Sequence, residues 1–315
     1  TLLDVNLLNL PGEDKQIEDY TFSDDEAQLL LTAGSEAIYR HSTKEWTYVY
    51  DNTTRKVAGL NEKGKQMHAT FSPDGKKVGF VMDNNMYYKD LASGKITQVT
   101  TDGKWNHIIN GSCDWVYEEE FSFTKAFAWS PDNRYIAYYR FDESAVKEFT
   151  MTNYTGELYP ENVTFKYPKV GMENSKVSIH IFDTKTKKKV DVDRTSDPDG
   201  YIPRIKWTND PSKLCVFWMN RHQNHLELLI ANSVSGKTTK LLQEENKYYI
   251  DIHDNLTFLQ DGQGFIWTSE QDGFNHIYLY DMSGSLKKQI TTGNWEVTSF
   301  YGVDEKNKAI YYQSA

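Results

Sequence analysis

The chain has 315 residues, a net charge of −10 and an aromatic content of 14%, including 21 Tyr and 8 Trp. An aromatic-rich chain of this length folds around a large core or several smaller ones, unlike disordered chains, which are poor in aromatics. The negative balance argues against a nucleic-acid or anionic-membrane partner, and no apolar run approaches the roughly 20 residues that a membrane helix needs. No signal peptide is recognisable, and the abrupt start at Thr1-Leu2-Leu3-Asp4-Val5 reads as a trimmed or mature terminus. Cys113 and Cys215 lie among aromatic and apolar residues and read as buried free thiols, outside any metal-type spacing.

In chain order, one unit recurs. Phe22-Ser23-Asp24-Asp25, Phe71-Ser72-Pro73-Asp74-Gly75, Trp129-Ser130-Pro131-Asp132-Asn133, Trp207-Thr208-Asn209-Asp210-Pro211, Phe258-Leu259-Gln260-Asp261-Gly262 and Phe300-Tyr301-Gly302-Val303-Asp304 each precede an apolar, β-rich run. An aromatic closing one strand, a Pro/Asp/Gly/Asn turn and a second strand predict a hairpin. Further hairpins follow at Asp90-Leu91-Ala92-Ser93-Gly94, Asp183-Thr184-Lys185-Thr186, Asn232-Ser233-Val234-Ser235-Gly236 and Asp281-Met282-Ser283-Gly284. Two hairpins make a four-stranded unit, and repetition roughly every 40–50 residues predicts an all-β fold, a β-propeller of four-stranded antiparallel blades. About five blades are expected. The chain stops at Ala315 partway through a unit, which leaves the ring unclosed and suggests a piece of a longer protein.

Two spacings are stretched. The interval from Phe71 to Trp129 contains the acidic run, and the longer one from Trp129 to Trp207 carries an insertion over residues 144–171. Insertions in repeat proteins form loops and often carry binding. The alternation in Asn162-Val163-Thr164-Phe165-Lys166-Tyr167 predicts an extended hairpin arm.

Chemistry concentrates in Asp114-Trp115-Val116-Tyr117-Glu118-Glu119-Glu120-Phe121. Adjacent carboxylates repel, more strongly in a low dielectric, and a cation relieves the repulsion. An ammonium with three donors suits such a pair. Neighbours on a strand point to opposite faces, whereas on one helical turn they stand about 100° apart and can converge. The stretch is therefore placed on a short helix or turn between strands. A solvated acidic turn remains the alternative. Arg40, in Tyr39-Arg40-His41-Ser42, is a candidate donor, and by itself it reads as an ordinary strand-end charge. His222, His225 and Glu227 read as satisfied side chains, and the lysine-rich residues 185–189 as a solvated loop. There is no nucleophile elbow, phosphate loop, zinc-binding helix or dinucleotide fingerprint, so neither a metal nor a cofactor is expected.

The Asp-Trp-Val-Tyr-Glu-Glu-Glu run, with Trp129-Ser130-Pro131, Tyr167-Pro168-Lys169-Val170-Gly171 and Tyr39-Arg40-His41-Ser42, resembles the propeller domain of the dipeptidyl peptidase IV family of serine exopeptidases, along essentially the whole chain. The resemblance implies an eight-bladed propeller, here lacking the first blade and about the last two, over an α/β-hydrolase domain with a Ser-Asp-His triad that is absent from residues 1–315. No catalytic residue is therefore assigned, and the chain alone is expected to be inactive. In the whole protein, X-Pro or X-Ala dipeptides would leave peptide N-termini. Glu119 and Glu120 would hold the substrate α-ammonium and Arg40 the adjoining carbonyl, while Glu118 would matter less because it points elsewhere on the turn. The implied partners are peptides with a free N-terminus, the protein's own hydrolase domain and, through the arm, a second copy.

Two departures accompany the resemblance. The loop after Glu120 is about one residue short, and the family's Phe-Arg pair lining the extended subsites has no clear match at residues 248–253. The contrasting reading is a free-standing propeller acting as a binding or scaffold module. Five Asn-x-Ser/Thr sequons, at Asn52, Asn110, Asn153, Asn162 and Asn255, would be surface glycan sites in a eukaryotic secretory protein, whereas the Asn- and Lys-rich composition leans toward a bacterial one. A periplasmic, cell-envelope or secreted location is expected.

Overall fold

The computed structural model describes Leu10 and residues 16–154, 156, 158–193 and 200–315; the opening Thr1-Leu2-Leu3-Asp4-Val5 and two positions of the arm, Thr155 and Glu157, lie outside the described residues. The chain divides into two compact units, Thr1–Lys189 and Val190–Ala315. In the first, β1 (Ile17–Phe22), β2 (Gln28–Ala37), β3 (Thr43–Asp51) and β4 (Val57–Gly59) form one antiparallel sheet in chain order. A second sheet follows in the same order with β5 (Met67–Phe71), β6 (Lys77–Met82), β7 (Asn85–Asp90) and β8 (Ile96–Gln98). Next come β9 (Ile108–Asn110), the single-turn helix α1 (Trp115–Glu120), β10 (Phe127–Trp129), β11 (Tyr135–Asp142), β12 (Glu148–Asn153), β13 (Glu161–Lys166), β14 (Lys176–Asp183) and β15 (Lys189–Asp191). The third sheet runs β10-β11-β14-β15, with β9 also pairing β11, while β12 and β13 form a separate hairpin.

The second unit repeats the meander. It has β16 (Tyr201–Trp207), β17 (Lys213–Met219), β18 (His225–Asn232) and β19 (Thr238–Glu245), then β20 (Thr257–Phe258), β21 (Gly264–Ser269), β22 (His276–Asp281) and β23 (Leu286–Gln289), and ends with the hairpin β24 (Val297–Asp304) and β25 (Ala309–Ser314). The fold is thus all-β, and its repeated four-stranded antiparallel sheets are the blades of a propeller. Among the described residues α1 is the only α-helix, and no helix is long and apolar enough to cross a membrane.

The recurring turn has a common hydrogen-bonding device. Ser23, Ser72 and Ser130 are buried, and each hydroxyl donates to the Asp two residues on: 2.6 Å to Asp25, 2.7 Å to Asp74 and 2.5 Å to Asp132. The same hydroxyls accept from the backbone N–H that starts the next strand, at Gln28, Lys77 and Tyr135. A short polar side chain thereby satisfies the backbone where the ladder stops. The aromatics before Ser72 and Ser130 pack between neighbouring sheets, Phe71 against Leu30 and Val49 of the first. Phe127 and Trp129 of the third sheet join Val81, Met86 and Tyr88 of the second in one core cluster, and the Trp129 indole donates to Thr70 O at 3.2 Å. In the second unit, Phe217 and Met219 pack with Phe258, Phe265 and Trp267 in the same manner. Period-two alternation supplies these faces, which is why the strands are so rich in aromatic and β-branched residues.

Other sequence expectations meet the structure here. Cys113 and Cys215 are buried free thiols, with Cys113 Sγ donating to Phe123 O. His225 is held between Glu245 (3.0 Å) and Glu227 (3.3 Å), and among the described residues no cluster of His, Cys, Asp and Glu could hold a metal. The lysine turn is not wholly solvated: Lys187 donates to the Tyr88 hydroxyl and lies over its ring. Asn110 is fully buried, its amide donating to Asn84 O and Asp102 Oδ1, so that sequon is not a surface site. The sequon marks a local triplet, whereas burial of Asn110 follows from the pairing of β9 with β11.

Candidate functional site

Two segments from separate blades of the first unit meet at the site. The first is the loop between β2 and β3, closed by Ile38 N–H donating to Ser42 O at 2.8 Å and by Tyr39 N–H donating to the Ser42 hydroxyl at 3.3 Å. Arg40 stands at its tip with its side chain 70% exposed.

The second segment is α1. The chain enters it through Gly111, whose φ of +75° lies in the left-handed region and where a Cβ would meet Val81 Cγ2 at 2.9 Å, so only glycine fits. Asp114 then caps the turn: Oδ1 accepts from Tyr117 N at 3.0 Å, and Oδ2 from the Ser175 hydroxyl at 2.5 Å. Burial pushes the Asp114 carboxyl above the ordinary range, opposed by these hydrogen bonds. Tyr117 anchors the inner face, its ring centroid 4.9 Å from both Phe121 and Phe141. With Tyr117 turned inward, helical geometry carries Glu119 to the opposite side, while Glu120 is exposed because the turn ends there.

The three carboxylates of the run take three environments. Glu120 is exposed at the end of the turn. The Glu119 side chain is 17% exposed, and its Oε1 accepts from Arg40 Nε at 2.9 Å. Glu118 is 1% exposed, and its Oε1 accepts from two backbone amides of the Arg40 loop, His41 N at 2.5 Å and Ser42 N at 3.2 Å. Its second oxygen, Oε2, is buried without a hydrogen-bond partner. Of the predicted site residues, then, Arg40 and Glu119 are in contact, and Glu120 sits beside Glu119 on the turn without a recorded contact to Arg40. Arg40 has no partner for its two terminal nitrogens among the described residues, which leaves those donors available.

Sequence reasoning missed Glu118. It does point elsewhere on the turn, as expected, but that direction is into the core and onto the Arg40 loop. Its burial is set by the β2–β3 loop, whose His41 and Ser42 amides meet it, and no local sequence signal marks that contact.

Aromatic contacts bracket the site. Trp115 of α1 packs on Tyr167 with centroids 4.4 Å apart, and Tyr39 of the loop lies 6.0 Å from Phe165. Phe165 and Tyr167 belong to the base of the β12–β13 arm. Exposed apolar residues continue along the arm, with Met151 54% exposed and Tyr154, Leu158 and Tyr159 more so. Below the site, Glu143 is buried, and its carboxyl is raised to about 7 by burial, then by the neighbouring Asp114, against the pull of Lys166.

Separately, the second unit holds a cavity of about 520 Å³ whose wall includes Glu244, Glu245, Asp251, His253, Glu270 and Glu296. It carries no Lys or Arg and includes part of the segment where a Phe-Arg pair has no counterpart.

These sheets and this turn define a β-propeller module carrying an arginine-paired acidic turn on one of its blades. Residues 23–315 match the family described as dipeptidyl peptidase IV N-terminal region, and the chain belongs to that family. It is 31% identical to a probable dipeptidyl-aminopeptidase B of Phaeosphaeria nodorum over 93% of this chain and 35% of that protein. It is also 27% identical to the inactive dipeptidyl peptidase 10 of Rattus norvegicus, over 94% of this chain and 39% of that one. Among solved structures, the dipeptidyl peptidase 4 of Porphyromonas gingivalis superposes with a TM-score of 0.93 at 44% identity, covering 100% of this chain and 45% of that one. The chain thus spans less than half the length of these relatives.

Proposed function

We propose that this chain is the substrate-binding and gating propeller of a serine-type dipeptidyl peptidase, in which Glu119 and Glu120 receive the α-ammonium of a peptide and Arg40 receives the neighbouring backbone carbonyl. The observation that carries this reading is the contact between Arg40 and Glu119, residues far apart in sequence, with Glu120 beside them on the same turn. Two ionised acceptors can share one ammonium through charge-assisted hydrogen bonds. The terminal nitrogens of Arg40 remain to donate to a carbonyl oxygen.

The arrangement accounts for exopeptidase logic. A clamp at a fixed distance from a nucleophile measures a set number of residues from the N-terminus. An acylated N-terminus brings no charge and leaves the carboxylates unpaired, which penalises it strongly. The nucleophile would be supplied by an α/β-hydrolase domain elsewhere in the full-length protein, and release of X-Pro and X-Ala dipeptides is the corresponding reaction.

A second reading, a propeller that binds partners without peptidase activity, draws support from the similarity to a relative named inactive. The deciding experiment incubates the full-length protein with a peptide bearing Pro at its second position, with a free or an acetylated N-terminus. Dipeptide release from the free peptide alone is expected. No release from either peptide favours the binding module, and equal release from both removes the clamp.

A further inference from the structure

The family resemblance gives Glu118 no part in ligand binding, yet it is the most deeply placed carboxylate of the run. We propose that Glu118 is the positioning residue of the ammonium site, holding the backbone of the Arg40 loop in register with α1; the proposal rests on the reading of Arg40, Glu119 and Glu120 given above.

Two links join the loop to α1. Glu119 reaches the Arg40 side chain, and Glu118 reaches the backbone immediately after it, at His41 N and Ser42 N. The links differ in what a ligand does to them. An arriving ammonium competes for the oxygens of Glu119, so the Arg40–Glu119 bond is shared or weakened at the moment the site is used. Arg40 is 70% exposed and has little else to hold it. The Glu118 link is buried, lies away from the ligand side, and is unaffected by occupancy. It therefore keeps the guanidinium in place while Glu119 is engaged. Carboxylate bonds to backbone N–H groups are charge-assisted and directional, which suits the task.

The test measures kcat and KM of the full-length protein on a Gly-Pro chromogenic anilide, for Glu118→Ala, Glu118→Gln and Glu118→Asp, each alone and combined with Arg40→Ala. Gln retains an acceptor oxygen and is expected within about threefold of wild type. Ala removes the acceptor and is expected to lower kcat/KM at least tenfold, mainly through KM. Asp withdraws the acceptor by one methylene and is expected to lower it severalfold, which keeps the test decisive should the Ala variant fail to fold. Because Glu118 acts through Arg40, the Glu118 substitutions are expected to cost little further on the Arg40→Ala background, a non-additivity that a general packing defect would not produce. A costly Arg40→Ala combined with a multiplicative Glu118 loss overturns this proposal alone, as do single Ala and Asp variants within twofold of wild type. A neutral Arg40→Ala overturns both this proposal and the function beneath it.

Discussion

Replacing Glu119 by Ala in the full-length protein removes the acceptor that Arg40 contacts at 2.9 Å and that the proposed ammonium would share. The carboxylate is 17% exposed before any ligand arrives, and a docked peptide would cover it further. Losing one partner of a desolvated, charge-assisted contact costs about 2–5 kcal/mol, and about 3 kcal/mol corresponds to a loss of roughly a hundredfold. Glu120 is open to solvent, which places Glu120→Ala near the lower end, about 2 kcal/mol or some thirtyfold. The Arg40–Glu119 pair itself adds little to folding, since an ion pair with one exposed partner is worth about 0–1 kcal/mol, so both variants are expected to fold. The assay is kcat/KM on a dipeptidyl anilide, set beside the rate of inactivation by an uncharged serine-directed phosphonate. The anilide rate should fall while the phosphonate rate holds. Both variants within threefold of wild type on the anilide, or equal losses with the two reagents, refute the clamp.

Other consequences can be checked independently. The Glu143 carboxyl, at about 7 in the folded protein against 4.5 ordinarily, keeps a proton that the unfolded chain has already released between about pH 4.5 and 7. Stability from this group therefore falls as pH rises through that window, by about 3 kcal/mol in full. Glu143→Gln should raise the melting temperature at pH 8 and change it little at pH 4.5, and an equal effect at both would contradict the assignment. Removing the β12–β13 arm should shift the full-length protein toward monomer in sedimentation, and an unchanged sedimentation coefficient would dismiss the arm as a contact between copies. Expressed through a eukaryotic secretory pathway, the protein should carry glycan at the exposed Asn153 and Asn162 and none at Asn110, as read by peptide mass spectrometry.

The fold was legible because its signal is local and repeated. Each Ser-Asp turn states its own hydrogen bonds within a few residues, and each short, continuously apolar run after it states a strand buried on both faces. The placement of residues 114–121 on a helical turn was legible for the same reason, since convergence of neighbouring carboxylates depends only on backbone geometry. What could not be read was the depth of each residue on that turn. Glu118, Glu119 and Glu120 are chemically identical, and their separation into buried, half-buried and exposed comes from Tyr117 meeting Phe121 and Phe141 and from the β2–β3 loop arriving against the turn. That contact joins two blades of the first unit, and no local pattern encodes it. The buried sequon at Asn110 was illegible because the pairing of β9 with β11 brings together residues some thirty apart in sequence.

The hairpin arm lives under two regimes along its length. Near its tip, Tyr154, Leu158 and Tyr159 face solvent. At its root, Phe165 and Tyr167 lean on Tyr39 and Trp115, one from each of the two segments that compose the site. The arm is therefore packed against both the Arg40 loop and α1 through aromatic rings. Under the proposed function, a contact made at the tip would bear on the spacing between Arg40 and the two glutamates, and exchanging arms between relatives would test that coupling.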